Sequence, residues 1–524
     1  MPQINFGPIV GQIDIENGKA IILASFDETG TIKYRVTPNS SILEPIEVSV
    51  VIPKANKPIR TIIEGLDLSD EFYSVDLVQD NGDIVSNIAT LKVTASHKIA
   101  FVSCNNSDLA AGSDLWSNIA ADSDVDLVVM MGDNVYADGI FYQTMNELLV
   151  TPKKSWKGVK TLALEKYRDL YYANWFNNST SIGSVLPRVS TVMVPDNHDI
   201  YSAWGNGKIA SDYPKDVFSR AIKIAKSAVN SYQRNLLFYE SFPSQSNYYF
   251  NFKWGAVGLF CTEFRNGHSI ETTVNQRKAI VDFAKVQKLL DTTNIIIASP
   301  IFPLPRKNNG VLSRFMKLVV TDINENEISA SASAEFLDAV FAAKKIVDNI
   351  TLVCGDTHTM ISGNITQNSD ISIPVYVSSP ITNNPVTLSY PILSTLDKTA
   401  SVTFTAPIGA STDNSYLFDG TYRPAIRNYC TCYENNVGTL FVEQIVDSAP
   451  DDHLALDTSN YIKYLARIGN INLGTLTAPL DGTFSQESFI TGQATTTAVM
   501  LGQIANTLSL LGGSLVTQFL PRIN

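Results

Sequence analysis

Most of the residues in this chain that could do chemistry lie in four short polar clusters, each directly after an apolar run. Phe101-Val102-Ser103 leads into Cys104-Asn105-Asn106. A cysteine after a strand is more often a small buried residue, but a thiolate there could hold a transition metal. Residues 127–131, Leu-Val-Val-Met-Met, lead into Gly132-Asp133-Asn134-Val135-Tyr136-Ala137-Asp138. Gly132 lets the backbone turn sharply, so that the Asp133 carboxylate projects from the sheet edge and can bridge two cations. Tyr136, three residues on, could return a phenolate to the same metal; alone it would read as a packed aromatic. Val192-Met193-Val194 leads into Pro195-Asp196-Asn197-His198-Asp199. Asn197 offers a neutral carbonyl oxygen suited to a hard cation. His198, one of five histidines, could act as an acid or contact a phosphate. Residues 350–354 lead into Gly355-Asp356-Thr357-His358, where Asp356 and His358 can face one cation.

The combination says more than any member. A core has no structural need for thiol, carboxylate with phenol, amide with imidazole, and carboxylate with imidazole at successive strand ends. Sulfur and phenolate suit one metal and oxygen donors another. A two-metal site follows, with one trivalent or transition ion beside a hard divalent ion.

Such groups must be positioned by a sheet, since functional side chains in α/β proteins gather beyond the carboxyl ends of strands. From about Ser96 apolar strand candidates at 99–103, 127–131, 192–194, 256–261, 294–298 and 350–354 alternate with helical stretches at 162–176, 215–236, 275–290 and 334–347. Residues 1–95 read as strands only: runs at 20–24, 46–51 and 73–78 are separated by Glu16-Asn17-Gly18, Glu28-Thr29-Gly30 and Asp80-Asn81-Gly82. That spacing suggests a small β-sandwich of immunoglobulin or fibronectin type III kind. Strands dominate again from 373 to 446, with a hairpin expected from 429–433 and 439–444. Cys430 and Cys432 share one strand face and read as packing residues.

The chain has 524 residues, 39 basic and 51 acidic, for a net charge of −12, with 44% hydrophobic and 17% charged residues. That composition is globular, of roughly two to four domains at ~150 residues each. The acidic balance argues against specific nucleic-acid binding. Five cysteines exclude a disulfide scaffold. The first residues lack a basic segment followed by an apolar core, so no secretory signal is expected, and no run suits a membrane span. The compartment stays open: cytoplasmic, exported by another route, or virion-associated.

The order Ser-Cys, Gly-Asp-x-x-Tyr-x-Asp, Asn-His-Asp and Gly-Asp-x-His resembles the PhoD-like alkaline phosphatases, a branch of the calcineurin-like metallophosphoesterase superfamily. The resemblance spans residues 1–448. It implies an all-β domain at 1–95 and a two-sheet α/β metallophosphoesterase sandwich at 96–448. Carried over, Cys104, Asp133 and Tyr136 match ferric-iron ligands, with Asp133 bridging toward calcium. Asn197 matches the metal-binding amide, His198 the histidine that contacts the phosphate or leaving group, and Asp356 and His358 the last metal ligands. The implied cofactors are iron (Fe3+) and calcium (Ca2+). The implied reaction is hydrolysis of phosphate monoesters, or diesters in some members, by a metal-activated hydroxide. Two departures stand out. Asp196-Asn197-His198-Asp199 replaces two acids, a histidine and a glutamate. Cys261-Thr262-Glu263-Phe264-Arg265 stands where the family has Asp-Thr-Arg-Gln-Tyr-Arg. One arginine is therefore lost, leaving Arg265 as the candidate phosphate clamp; a salt-bridge arginine is the competing reading.

A rival from another class is a structural or attachment protein, such as a virus-particle component, that kept a phosphatase fold. Its support is the expected lack of a secretory signal, the reduced arginine motif, and residues 449–524, which lie outside the resemblance. No charged residue occurs from Ser488 to Pro521, and Leu501, Ile504, Leu508 and Leu511 share a helical face before Gly512-Gly513. This tail is expected to drive a homo-oligomer or larger assembly; folding back on its own chain is the competing reading.

Overall fold

The structure is a computed structural model. It describes residues 2–447 except for short stretches, the longest being 206–212, 304–327, 384–398 and 406–413; the tail at 449–524 lies outside the described residues. Among the described residues no helix is long and apolar enough to cross a membrane.

The β-branched runs near the start form seven antiparallel strands: β1 (Ile4–Asp14), β2 (Lys19–Phe26), β3 (Gly30–Pro38), β4 (Ile46–Ile52), β5 (Ile59–Glu64), β6 (Phe72–Val78) and β7 (Ile84–Lys92). They make two sheets, β1-β2-β5 and β4-β3-β6-β7. Alternation decides which face is covered: along β3, Ile32, Tyr34 and Val36 are buried while the residues between them are not.

The pattern then changes to α/β. β8 (Lys98–Val102), α1 (Leu115–Ala121), β9 (Val125–Met131), α2 (Asp138–Val150), α3 (Trp156–Trp175), α4 (Ile182–Val185), β10 (Ser190–Val194) and α5 (Lys215–Tyr232) come first. Next come β11 (Phe250–Trp254), β12 (Val257–Cys261), α6 (Val274–Leu289), β13 (Asn294–Ser299), α7 (Ala330–Lys344) and β14 (Asn349–Cys354). The chain ends in strands: β15 (Thr359–Gln367), β16 (Ile371–Val377), β17 (Thr399–Thr405), β18 (Ser415–Pro424), β19 (Asn428–Glu434) and β20 (Leu440–Val446). α7 begins before the expected residue 334 because Ser329 caps it, its hydroxyl accepting from the Ala332 N–H at 3.1 Å.

Two mixed sheets result, β10-β9-β8-β19-β20 and β11-β12-β13-β14-β16-β15-β18-β17. Strands β8, β9 and β10 run parallel, as do β12, β13, β14 and β16. Both faces of the central strands are covered, which explains their near-continuous apolar runs. Phe101, Val129, Met131 and Val194 face the layer between the sheets with Leu259, Ala298 and Val353. Cys430 and Cys432 sit there too, as buried free thiols that pack. Ala100, Val128 and Met130 turn to the helices α1–α5, whereas Ile295, Ile297 and Leu352 turn to the Phe336, Leu337 and Phe341 face of α7.

The N-terminal sandwich joins this core. The Val10 N–H donates to Leu186 O at 2.8 Å, Ser190 Oγ to Gly11 O at 2.8 Å, and the Phe238 N–H to Gln12 Oε1 at 2.9 Å. Phe6 is buried edge-on against Phe176 and Tyr232, in one apolar cluster with α3 and α5. Phe6→Ala should therefore destabilise both parts together by about 3–5 kcal/mol. Chemical denaturation followed by separate probes in each part would read this; an early transition confined to residues 1–95 would contradict a shared core.

Candidate metal centre

Five loops meet at the carboxyl ends of β8, β9, β10, β14 and β16. Backbone bonds lace them together: the Cys104 N–H donates to Gly132 O at 3.2 Å, the Asn105 N–H to Asp133 O at 2.9 Å, and the Ser378 N–H to Cys354 O at 2.8 Å. Gly132 (φ +85°) is required, since a Cβ there would stand 2.5 Å from the Asp196 Cβ. Four candidate ligands hold a left-handed backbone without being glycine: Cys104 (φ 57°), Asp133 (φ 52°), Asp356 (φ 67°) and His358 (φ 50°). Such conformations are strained and cluster where function requires them.

The loops bring Cys104, Asp133 and His358 together, with one ligand atom of each lying within 4.8 Å of the others. Asp133 is the hub. Its Oδ2 lies 3.6 Å from Cys104 Sγ and accepts from Tyr136 Oη at 3.4 Å, while its Oδ1 accepts from the His198 N–H at 3.1 Å. Burial pushes the Cys104 thiol far up, aided by the Asp133 and Asp356 charges. Burial does the same to the Tyr136 phenol, then Cys104 and Asp133 add to it. Asp133 is pushed up to about 7, by burial first, with His198 opposing. Three acids thus crowd one buried point where none ionises easily alone. A cation reverses that balance. The donor set of thiol, carboxylate, phenol and imidazole fits a transition-metal ion.

The remaining expected residues surround this group. Asp356 does not join the three, but its charge acts on both Cys104 and Arg265. Asn197 is buried; its Oδ1 accepts from Arg265 Nη2 at 3.2 Å and its Nδ2 donates to Ser202 O at 2.8 Å. His198 keeps 19% of its side chain exposed and lies over the Tyr136 ring at 4.5 Å. Its Nδ1 is 2.8 Å from Asp138 Oδ2.

Arg265 sits deeper than a clamp at the mouth would. It is fully buried, its Nε and Nη2 fork onto Asp196 at 2.6 and 3.2 Å, and Nη1 donates to Trp204 O at 3.0 Å. Burial works to lower its pKa, and Asp196 together with Asp356 and Asp133 more than offsets that. Here Arg265 fixes Asp196 and Asn197 from beneath. Glu263, in the departing motif, accepts from the Tyr248 N–H at 2.8 Å.

Sequence reasoning gave no role to several residues. Asp199 is a buried strap between loops, accepting from the N–H groups of Asn134 and Asp196 at 3.1 and 2.9 Å and from Gln233 Nε2 at 2.7 Å. Asp138 anchors His198. Both stood inside quoted motifs. Ser379 and Asn383 stand in the loop after β16, whose polar run Ser378-Ser379-Pro380-Ile381-Thr382-Asn383 follows an apolar strand like the other four.

Residues 99–292 match the PhoD-like phosphatase family model. A solved structure of PhoD is 13% identical, with 86% of this chain and 94% of that chain covered and a TM-score of 0.56. A purple acid phosphatase from yellow lupin (Lupinus luteus) seeds is 10% identical, with 84% and 71% covered and a TM-score of 0.52. No curated protein matches the sequence. The resemblance is borne out over residues 99–292, which match the PhoD-like phosphatase model and hold three of the four motifs, and the fold is shared with both solved phosphatases.

The carboxyl pKa values give the metal-free protein a defined pH response. Asp133 and Asp199 stand at about 7 in the folded state, above the unfolded value of ~3.9. The folded state holds more protons across that window, so stability falls as pH rises from about 4 to 7. Unfolding free energy measured without metal should be lower at pH 7 than at pH 5, and Asp133→Asn should shrink that difference. An equal difference in variant and wild type would contradict this.

Proposed function

We propose that the protein is a metal-dependent phosphoric ester hydrolase acting at a binuclear site on phosphate monoesters or diesters. The observation that carries this reading is the Cys104–Asp133–His358 group, gathered at the ends of separate strands with Tyr136 beside it. Cys104, Asp133, Tyr136 and His358 would hold ferric iron. Asp133, Asn197 and Asp356 offer the oxygen donors for calcium. When bound, the cations supply an activated water and neutralise charge on the phosphoryl oxygens, which is most of what phosphoryl transfer requires.

The chain's own residues do the rest. Asp138 holds His198 Nδ1, which assigns Nε2 to protonate or hydrogen-bond the leaving oxygen. The His198 ring also lies against Tyr136, so proton donor and iron ligand share one wall. Arg265 holds Asp196 and Asn197 rigid and acts through them. Asp199 keeps the loops after β9 and β10 at fixed separation.

Turnover of p-nitrophenyl phosphate and bis-p-nitrophenyl phosphate, with elemental analysis of protein purified without chelator, tests the reading. Bound metal with no turnover of either ester would favour the structural or attachment role. Cys104→Ala should lose the transition metal and at least ~100-fold in activity, since losing a ligand exceeds the 10–100-fold of outer partners. Tyr136→Phe should shift or abolish a visible absorption band; an unchanged band would argue against phenolate ligation. Removing calcium with a selective chelator should lower activity, and added calcium should restore it. Full activity in verified calcium-free protein would overturn the calcium assignment.

A further inference from the structure

The loop after β16 contributes none of the expected ligands, yet it touches three of them. Ser379 Oγ donates to Cys104 Sγ at 3.3 Å and accepts from the His358 N–H at 3.3 Å. Four residues on, the Asn383 side chain is buried with its Nδ2 between two ligands. It donates to Tyr136 Oη and lies 3.4 Å from His358 Nε2. A carboxamide nitrogen donates and does not accept. The phenol oxygen therefore accepts from the same amide that stands beside the imidazole Nε2. Tyr136 belongs to the loop after β9 and His358 to the loop after β14, so this contact joins two separately supported ligands.

The Asn383 backbone is itself fixed on both sides. Its N–H donates to Cys104 O at 3.1 Å and its carbonyl accepts from Arg427 Nε at 3.2 Å. The preceding residues are tied as firmly: the Ile381 N–H donates to Ser103 O at 3.0 Å, and Thr382 Oγ1 donates to Asn105 Oδ1 at 3.2 Å. A donor mounted this rigidly can set the position of a softer neighbour, which is what a preorganised metal site needs.

We infer that Asn383 is a positioning residue of the metal centre, its amide holding the Tyr136 oxygen and the His358 ring in register with Cys104 and Asp133. The inference rests on reading the group as a metal site. It adds a fifth loop, residues 378–383, to the four that carry ligands.

Two variants of the full chain separate donation from packing. Asn383→Leu keeps the branched shape and loses the donor; Asn383→Ser keeps a donor and loses volume. Cobalt(II), whose visible bands report thiolate ligation, is titrated into metal-free protein against a competing chelator. Asn383→Leu should weaken binding by about 10–100-fold, with Asn383→Ser much closer to wild type. An unchanged Asn383→Leu, or equal losses in both variants, would overturn the inference. Crystal structures of metal-free wild type and Asn383→Leu give a second readout. The Tyr136 oxygen and the His358 ring should move by more than about 0.5 Å, the tolerance of a preorganised site; unmoved side chains would overturn it. If wild type takes up no cobalt(II), the metal-centre reading fails, and the metal-free crystal structures still decide the role of Asn383.

Discussion

A buried carboxylate is costly unless something positive stands near it, and the Asp133 side chain is almost wholly buried. Everything around it follows from that cost. One oxygen faces a thiol and a phenol that are acids themselves; the other takes a backbone N–H. The buried guanidinium of Arg265 pairs with Asp196 and acts on Asp133 only through space, lowering its pKa by less than burial raises it. The arrangement is unfavourable as a packed core and favourable as a cation cage. That difference separates this site from an ordinary polar turn.

Holding the cage together is the task of the scaffold. Parallel strands bring their carboxyl ends to one edge, and two sheets packed face to face leave that edge as the place where loops from both can meet. Several of the groups that fix the loops touch no candidate ligand atom. Asp199 collects N–H groups from two loops, and Gln233, just beyond α5, links it to Asn134 and to Tyr171 on α3. The N-terminal sandwich continues the same chain of support, since Phe6 packs on the aromatic layer that includes Tyr232 of α5.

The parts of this plan that were legible in the sequence are those that local pattern records. Strands covered on both faces write themselves as apolar runs, so β8, β9, β10, β12, β13 and β14 fell where expected, and the polar residues after four of them marked the site. The rest depends on partners far apart in the chain. The Asp196 that engages Arg265 is 69 residues away, and the Tyr136 that meets Asn383 is 247 residues away. Periodicity shows that a face is apolar without saying what covers it, so the junction between β1 and the α3–α5 layer left no local trace. The loop after β16 carries the same signal as its neighbours, but it sits in a stretch where strands follow one another without helices, which the α/β rule does not reach.

The left-handed backbone at Cys104, Asp133, Asp356 and His358 bears on how such a site would decay. Each non-glycine residue in that conformation costs on the order of 1 kcal/mol that glycine would not incur. If the site holds a cation, as proposed, binding offsets the strain and the four side chains persist. A descendant released from metal binding would gain stability from glycine at any of them, so drift would run downhill toward erasing the ligands. On that reading the four side chains are a feature that neutrality removes instead of preserving.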